Sequence, residues 1–219
     1  ARLIMPTSPW SPILAPHADA LPRAFREQFL LPADARYAVV LDGIMREVWH
    51  KRWLAPLFWL LGRMNILVPE AGQNLPTTLT IHAGHGADGA YHIYARRFEF
   101  DTPYTFKTLT QYDAKRARPI ERSGPGMALC MMYDAKFVPP LTLRHRSETF
   151  GLQFGRWRAW FPRWLSRWLF GELRFTQWVD APDSDTTYID ARVFHPLVGE
   201  MFRYRGTFRV GRRAAPNTP

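Results

Sequence analysis

The chain has one cysteine, Cys130, in 219 residues. No internal disulfide framework is available to it, and the cytoplasm, where thiols stay reduced, is the expected compartment. It also lacks an uninterrupted apolar run of the roughly 20 residues that a membrane-crossing helix needs. Its most apolar window, WLAPLFWLLGRMNILV at 53–68, is broken by Pro56, Gly62 and Arg63. The first residues, ARLIMPTSPW, hold no continuous apolar segment of signal-peptide type. The net charge is +10, yet no five lysines or arginines are consecutive and no recognised nucleic-acid-binding motif occurs. Nucleic acid is therefore not an expected partner.

Several chemistries are missing by pattern. Ser123-Gly124-Pro125-Gly126 is neither a nucleophile elbow nor a phosphate loop, and no GxGxxG follows a strand, so no nucleotide cofactor is expected. His82, His85 and His92 lie close together, but without a carboxylate or thiolate at ligand spacing, and no metal is expected there; His82 and His92 could face each other across a hairpin, which would make at most a chance surface site. Cys130 sits in ALCMMY, an apolar setting that keeps a thiol buried and protonated.

What is present is core material, 47 % hydrophobic and 15 % aromatic residues, and a strong period of two. In TYIDARVFHPLVGEMFRYRGTFRV, residues 187–210, the second arm alternates Phe202, Tyr204, Gly206, Phe208 and Val210 with Arg203, Arg205, Thr207 and Arg209. One dry and one wet face make an antiparallel strand, and Pro196 and Gly199 mark the hairpin turn.

In chain order, the prolines at 6, 9, 12 and 16 predict an extended arm or leader over 1–20, pinned by Trp10, Ile13 and Leu14. Leu21–Leu31 has the spacing of a short amphipathic helix with Pro22 in its first turn. Residues 37–50 predict a strand bent at Gly43. Residues 53–68 predict a buried helix lying across a sheet, with a membrane-touching helix as the alternative. From residue 76 the pattern is one of short strands, about eight to ten in all. The tail 211–219 reads as loose. The fold class is α+β, with residues 21–210 forming one domain: a curved antiparallel sheet or lipocalin-like barrel with one or two covering helices. A helix-grip fold is the alternative.

His195-Pro196-Leu197-Val198-Gly199 followed by Tyr204-Arg205-Gly206-Thr207-Phe208 resembles the closing HPxxG and YxGxF motifs of the bacterial domain of unknown function 4166 family. Members stand alone or are attached to saccharopine-dehydrogenase-like domains. The resemblance spans about Leu21 to Val210; it implies no established activity, and suggests a dehydrogenase-like protein as a partner. Within it, Arg96 matches the arginine of a W-x-R-x-F pattern in which Tyr94 replaces the tryptophan, and Glu121 matches the glutamate of E-x-x-G. Gln177 stands where the pattern has a further glutamate, so any chemistry that needs that carboxylate is in doubt here.

Charged and polar residues in apolar strand contexts carry the functional expectations. The first is a small, largely apolar ligand held inside the curved sheet, with Arg96, Glu121, Tyr204 and Gln177 as ligand-binding residues. The second is an isomerase or cyclase using Glu121, Asp190 or His195 for proton transfer. Structural roles compete with both: Arg96 paired with Glu121 or Asp190 as a stabilising bridge, and His195 as a turn residue. The third is membrane-surface contact through 53–68 or through 156–170, where four tryptophans interleave with four arginines. For that last stretch the expected arrangement is tryptophans packed inward with arginines reaching out.

Overall fold

A computed structural model of the chain describes residues 7–214. A first helical turn, α1 (Ser11–Leu14), runs into a 3-10 turn at Ala15–His17 and is followed by α2 (Arg23–Phe29). Strand β1 (Tyr37–His50) leads through a 3-10 turn to α3 (Ala55–Arg63). Then come β2 (Gly72–Gly86), β3 (Gly89–Phe98), β4 (Tyr104–Asp113), β5 (Arg118–Ser123), β6 (Met127–Val138), β7 (Thr142–Phe154) and β8 (Trp157–Trp160). The last elements are α4 (Arg163–Phe170), β9 (Glu172–Trp178), β10 (Thr186–His195) and β11 (Gly199–Ala214).

The strands hydrogen-bond in the order β6-β5-β4-β3-β2-β1-β11-β10-β9-β7-β8, and β6 also pairs with β7. That pairing closes ten antiparallel strands into a barrel and leaves β8 as an outer flap on β7. Closure removes the exposed edges that an open sheet of this size would carry. Among the described residues no long helix is wrapped by the sheet, so the barrel holds and the helix-grip alternative does not.

The hairpin over 187–210 is β10 paired with β11, with Ile189 opposite Gly206 and Ala191 opposite Tyr204. Strand β1 is a strand throughout, and its irregularity falls between Met45 and Glu47, just after the expected bend. Gly43 and Gly206 make that closeness possible. A methyl at Gly43 would lie 2.0 Å from the Thr207 carbonyl oxygen, and one at Gly206 2.9 Å from the Ile44 carbonyl oxygen.

The two ends of the barrel are closed differently. The N-terminal segment plugs the end formed by the β6–β7 and β9–β10 connections: Arg23 N–H donates to the Pro182 carbonyl at 2.8 Å, and His17 packs on Phe137. Trp10, Leu14, Phe25 and Phe29 are buried there. The expected extended arm is thus folded in its described part. Pro12 and Pro16 are the second residues of their helical turns, where the missing N–H costs nothing. Residues 1–6 and 215–219 lie outside the described residues, while Gly211–Ala214, expected to be loose, pair with β1 as far as Tyr37↔Ala214.

Helices α3 and α4 lie at the opposite end, and here two expectations fail. Helix α3 is not buried: Phe58 and Gly62 face inward, while Trp53, Leu57, Trp59 and Leu60 are exposed. Nor do three of the four tryptophans of 156–170 pack inward: Trp157, Trp164 and Trp168 are exposed, while Trp160 is half-buried against Ile120, Cys130 and Met132, and α4 docks through Ser166, whose Oγ accepts from Phe150 N–H at 3.0 Å.

Candidate functional site

Every strand that crosses the barrel contributes alternate side chains to its interior. On β3, His92, Tyr94, Arg96 and Phe98 share the inward face, and Thr108 and Thr110 do so on β4. The register sets Thr110 opposite Glu121 and Glu121 opposite Met131. Between these walls and the plug lies a cavity of about 100 Å³. Its lining includes Trp10, Tyr94, Arg96, Glu121, Tyr133 and His145, along with Gln177 and Tyr204.

The cavity is apolar with one polar band. Arg96 donates from Nη1 to Thr108 Oγ1 at 3.0 Å and lies over the rings of Tyr94 and Phe106. Its other terminal nitrogen is 3.9 Å from Glu121 Oε1, the outer limit of an ion pair, so the two charges are neighbours without a tight bidentate bridge. Burial raises the Tyr94, Tyr133 and Tyr204 phenols above their ordinary range. All three are neutral hydroxyls at physiological pH, able to donate or accept.

A second polar group lies toward the plug. Gln177 Nε2 donates to Gln28 Oε1 at 2.7 Å and to Thr187 Oγ1 at 2.8 Å, tying β9 to α2. His145 is enclosed by the rings of Trp10, Tyr133 and Phe175, stacked at 4.9, 5.3 and 5.1 Å. Burial lowers its pKa to about 3. Among the described residues its Nε2 has no hydrogen-bond partner, and the Thr110 hydroxyl faces the Tyr133 phenol without completing a hydrogen bond. A buried polar atom without a partner costs free energy that a ligand can recover.

The structure therefore brings together Arg96, Glu121, Tyr204 and Gln177. It separates them from Asp190 and His195. Asp190 is engaged by Arg192 on the outer face, at 2.7 and 2.8 Å; His195 sits at the β10–β11 turn and donates from Nε2 to the Trp168 carbonyl. The proton-transfer expectation for these two residues loses its shared pocket, because the period of two sends Asp190 outward and the turn places His195 at the barrel's rim. His82 and His92 also do not face each other. His92 is opposite Ala83 and points inward, where its Nε2–H donates to the Leu31 carbonyl at 2.9 Å. Tyr133 and His145 were not anticipated as site residues; the period of two on β6 and β7 is the signal that would have placed them inward. The Cys130 thiol is buried, and burial pushes its pKa up.

The sequence profile described as Domain of unknown function (DUF4166) matches residues 21–208. The chain belongs to that family. No curated protein matches it. The plug residue Trp10 lies before the region matched to DUF4166, whereas Arg96, Glu121, Gln177 and Tyr204 lie inside it. Among the described residues, no group of three or more His, Cys, Asp or Glu is gathered as a metal site, and no helix is long and apolar enough to cross a membrane.

Proposed function

We propose that the barrel binds a small, largely apolar molecule carrying one neutral polar group. The supporting observation is that Arg96, Glu121, three neutral phenols and an imidazole nitrogen without a partner among the described residues all line one largely apolar cavity. A hydroxyl or carbonyl on the ligand suits those groups: Glu121 accepts, and Arg96 or a phenol donates. The cavity holds about three waters' volume, well below the roughly 300 Å³ of common ligand pockets. Trp10 and Phe29 form part of its wall, so outward movement of the N-terminal segment would enlarge it for a larger guest.

Proton-transfer catalysis by Glu121 is the competing function, and His145 gives the cavity the histidine it would want. An imidazole whose pKa is about 3 is a weak base at neutral pH, far from the value efficient acid–base catalysis uses. Binding is therefore the better-supported role. Calorimetric titration with phenol, a single apolar ring carrying one hydroxyl, tests it. Saturable one-to-one binding that weakens about tenfold or more in Arg96→Ala or Glu121→Ala, and is abolished by filling the interior with Ile189→Trp, is expected. Absence of saturable binding, or binding unaffected by all three substitutions, would overturn the proposal.

A further inference from the structure

The end of the barrel opposite the plug exposes its aromatics and buries its polar contacts. On α4, Ser166 is 1 % exposed while Trp164 is 72 % and Trp168 54 % exposed, with Leu169 beside them. Trp157 on β8 is 76 % exposed, and Trp53, Leu57, Trp59 and Leu60 stand out around α3. These are surfaces that a water-soluble helix ordinarily turns toward its core.

The two helices are joined across the β10–β11 turn. Lys51 Nζ donates to the Val198 carbonyl at 2.5 Å, and His195 donates to the Trp168 carbonyl at the same distance. Leu197, 74 % exposed, lies between those anchor points. Trp53, Leu197 and Trp168 thus belong to one end of the barrel, held by side-chain contacts rather than by loose chain.

The two segments that carry this apolar surface hold charge of one sign, with Glu148 and Glu172 on the barrel side of α4. Residues 51–63 and 155–171 contain seven lysines and arginines and no aspartate or glutamate. Arg52, Arg63, Arg156, Arg163 and Arg167 are exposed, and none of them is in an ion pair among the described residues; Arg63 lies over the Trp59 ring. Tryptophan and leucine flanked by arginine is the composition that settles in the interfacial region of an anionic bilayer. A second copy of the same face would set these arginines against each other, since a two-fold contact pairs like with like. Bases could stack on the tryptophans, but the exposed leucines offer them nothing.

We infer that the α3–α4 end of the barrel docks onto the surface of an anionic phospholipid bilayer, with Trp53, Trp59, Trp164, Trp168 and Leu197 entering the interface and the arginines meeting lipid headgroups. Flotation of the full chain with vesicles of phosphatidylcholine alone, or of phosphatidylcholine with phosphatidylglycerol, tests this. Co-flotation with the anionic vesicles only, weakened by salt, is expected. Arg163→Glu with Arg167→Glu should reduce it about tenfold or more, as should Trp164→Ser with Trp168→Ser, with circular dichroism and melting temperature unchanged in both. Quenching of wild-type tryptophan fluorescence by brominated lipid gives a readout independent of any variant. No co-flotation with anionic vesicles in low salt would overturn the inference. So would flotation untouched by both double substitutions, a concentration-dependent dimer dispersed by the tryptophan substitutions, or single-stranded RNA displacing the protein from the vesicles.

Discussion

The Trp10 indole N–H donates to the Tyr94 hydroxyl at 2.9 Å, joining the N-terminal segment to the barrel wall beside Arg96. Tyr94 O–H is in turn 3.5 Å from His92 Nδ1, and His92 holds the Leu31 carbonyl. One chain of polar contacts thus runs through the plug and fixes the closed end of the cavity.

Trp10→Phe keeps most of the ring contacts with Phe29, Tyr133 and His145 but removes the donor, and should cost about 1–3 kcal/mol in urea denaturation. Trp10→Ala should cost about 3–5 kcal/mol. A loss near zero in Trp10→Phe would show that the bond to Tyr94 carries nothing beyond the ring, and equal losses in the two variants would show that the ring carries nothing beyond the bond.

Stability should fall in acid, beginning at mildly acidic pH. Burial lowers His92 to about 4 and His145 to about 3, against about 6.5 in an unfolded chain. The unfolded state therefore binds protons first: the full stability is present above about pH 6.5 and is lost as pH falls toward the folded values. His145→Phe should flatten the dependence of the melting temperature between pH 7 and 4. A profile identical to wild type would remove His145 from this account.

Gln177→Glu places a carboxyl in a buried site. It removes the amide donor to Gln28 and Thr187, so it should destabilise by about 1–3 kcal/mol at neutral pH. Burial would raise that carboxyl above its unfolded value, making the penalty small at acid pH and larger as pH rises through the folded pKa. Denaturation at pH 4.5 and 7.5 measures the difference; an equal penalty at both would contradict the buried placement.

The barrel was legible because period two survives in nearly every strand, and the Phe202–Val210 alternation shows it most clearly. The inward sites of Arg96, Glu121, Gln177 and Tyr204 follow from such alternation, once a barrel is assumed. Asp190 was misplaced because a carboxylate in an apolar strand looks the same whether it faces the cavity or Arg192. The helices were harder. Windows 53–68 and 156–170 are rich in tryptophan and leucine, and composition alone puts such residues inside; what reverses them is that Phe58 and Ser166 supply the docking contacts. Proline spacing hid the plug, because Pro12 and Pro16 stop a long helix but are well placed to start a short one.

Gly43→Ala tests the tightest crossing of the barrel. Its new methyl would meet the Thr207 carbonyl oxygen and the Phe208 backbone, groups that cannot swing aside, so a loss of about 3 kcal/mol or more is expected. Gly199→Ala also sits at a special backbone angle, φ 71°, but has open space around it and should cost less. The reverse order in thermal melts would place the crossing elsewhere.

Native mass spectrometry of freshly purified protein, followed by denaturing extraction, tests ligand binding most directly. A bound mass that leaves with the extract as a small apolar molecule bearing one neutral polar group, and that is absent from Ile189→Trp, is the predicted result. Wild-type protein that is empty as purified and stays empty after incubation with an extract of small apolar metabolites would contradict it.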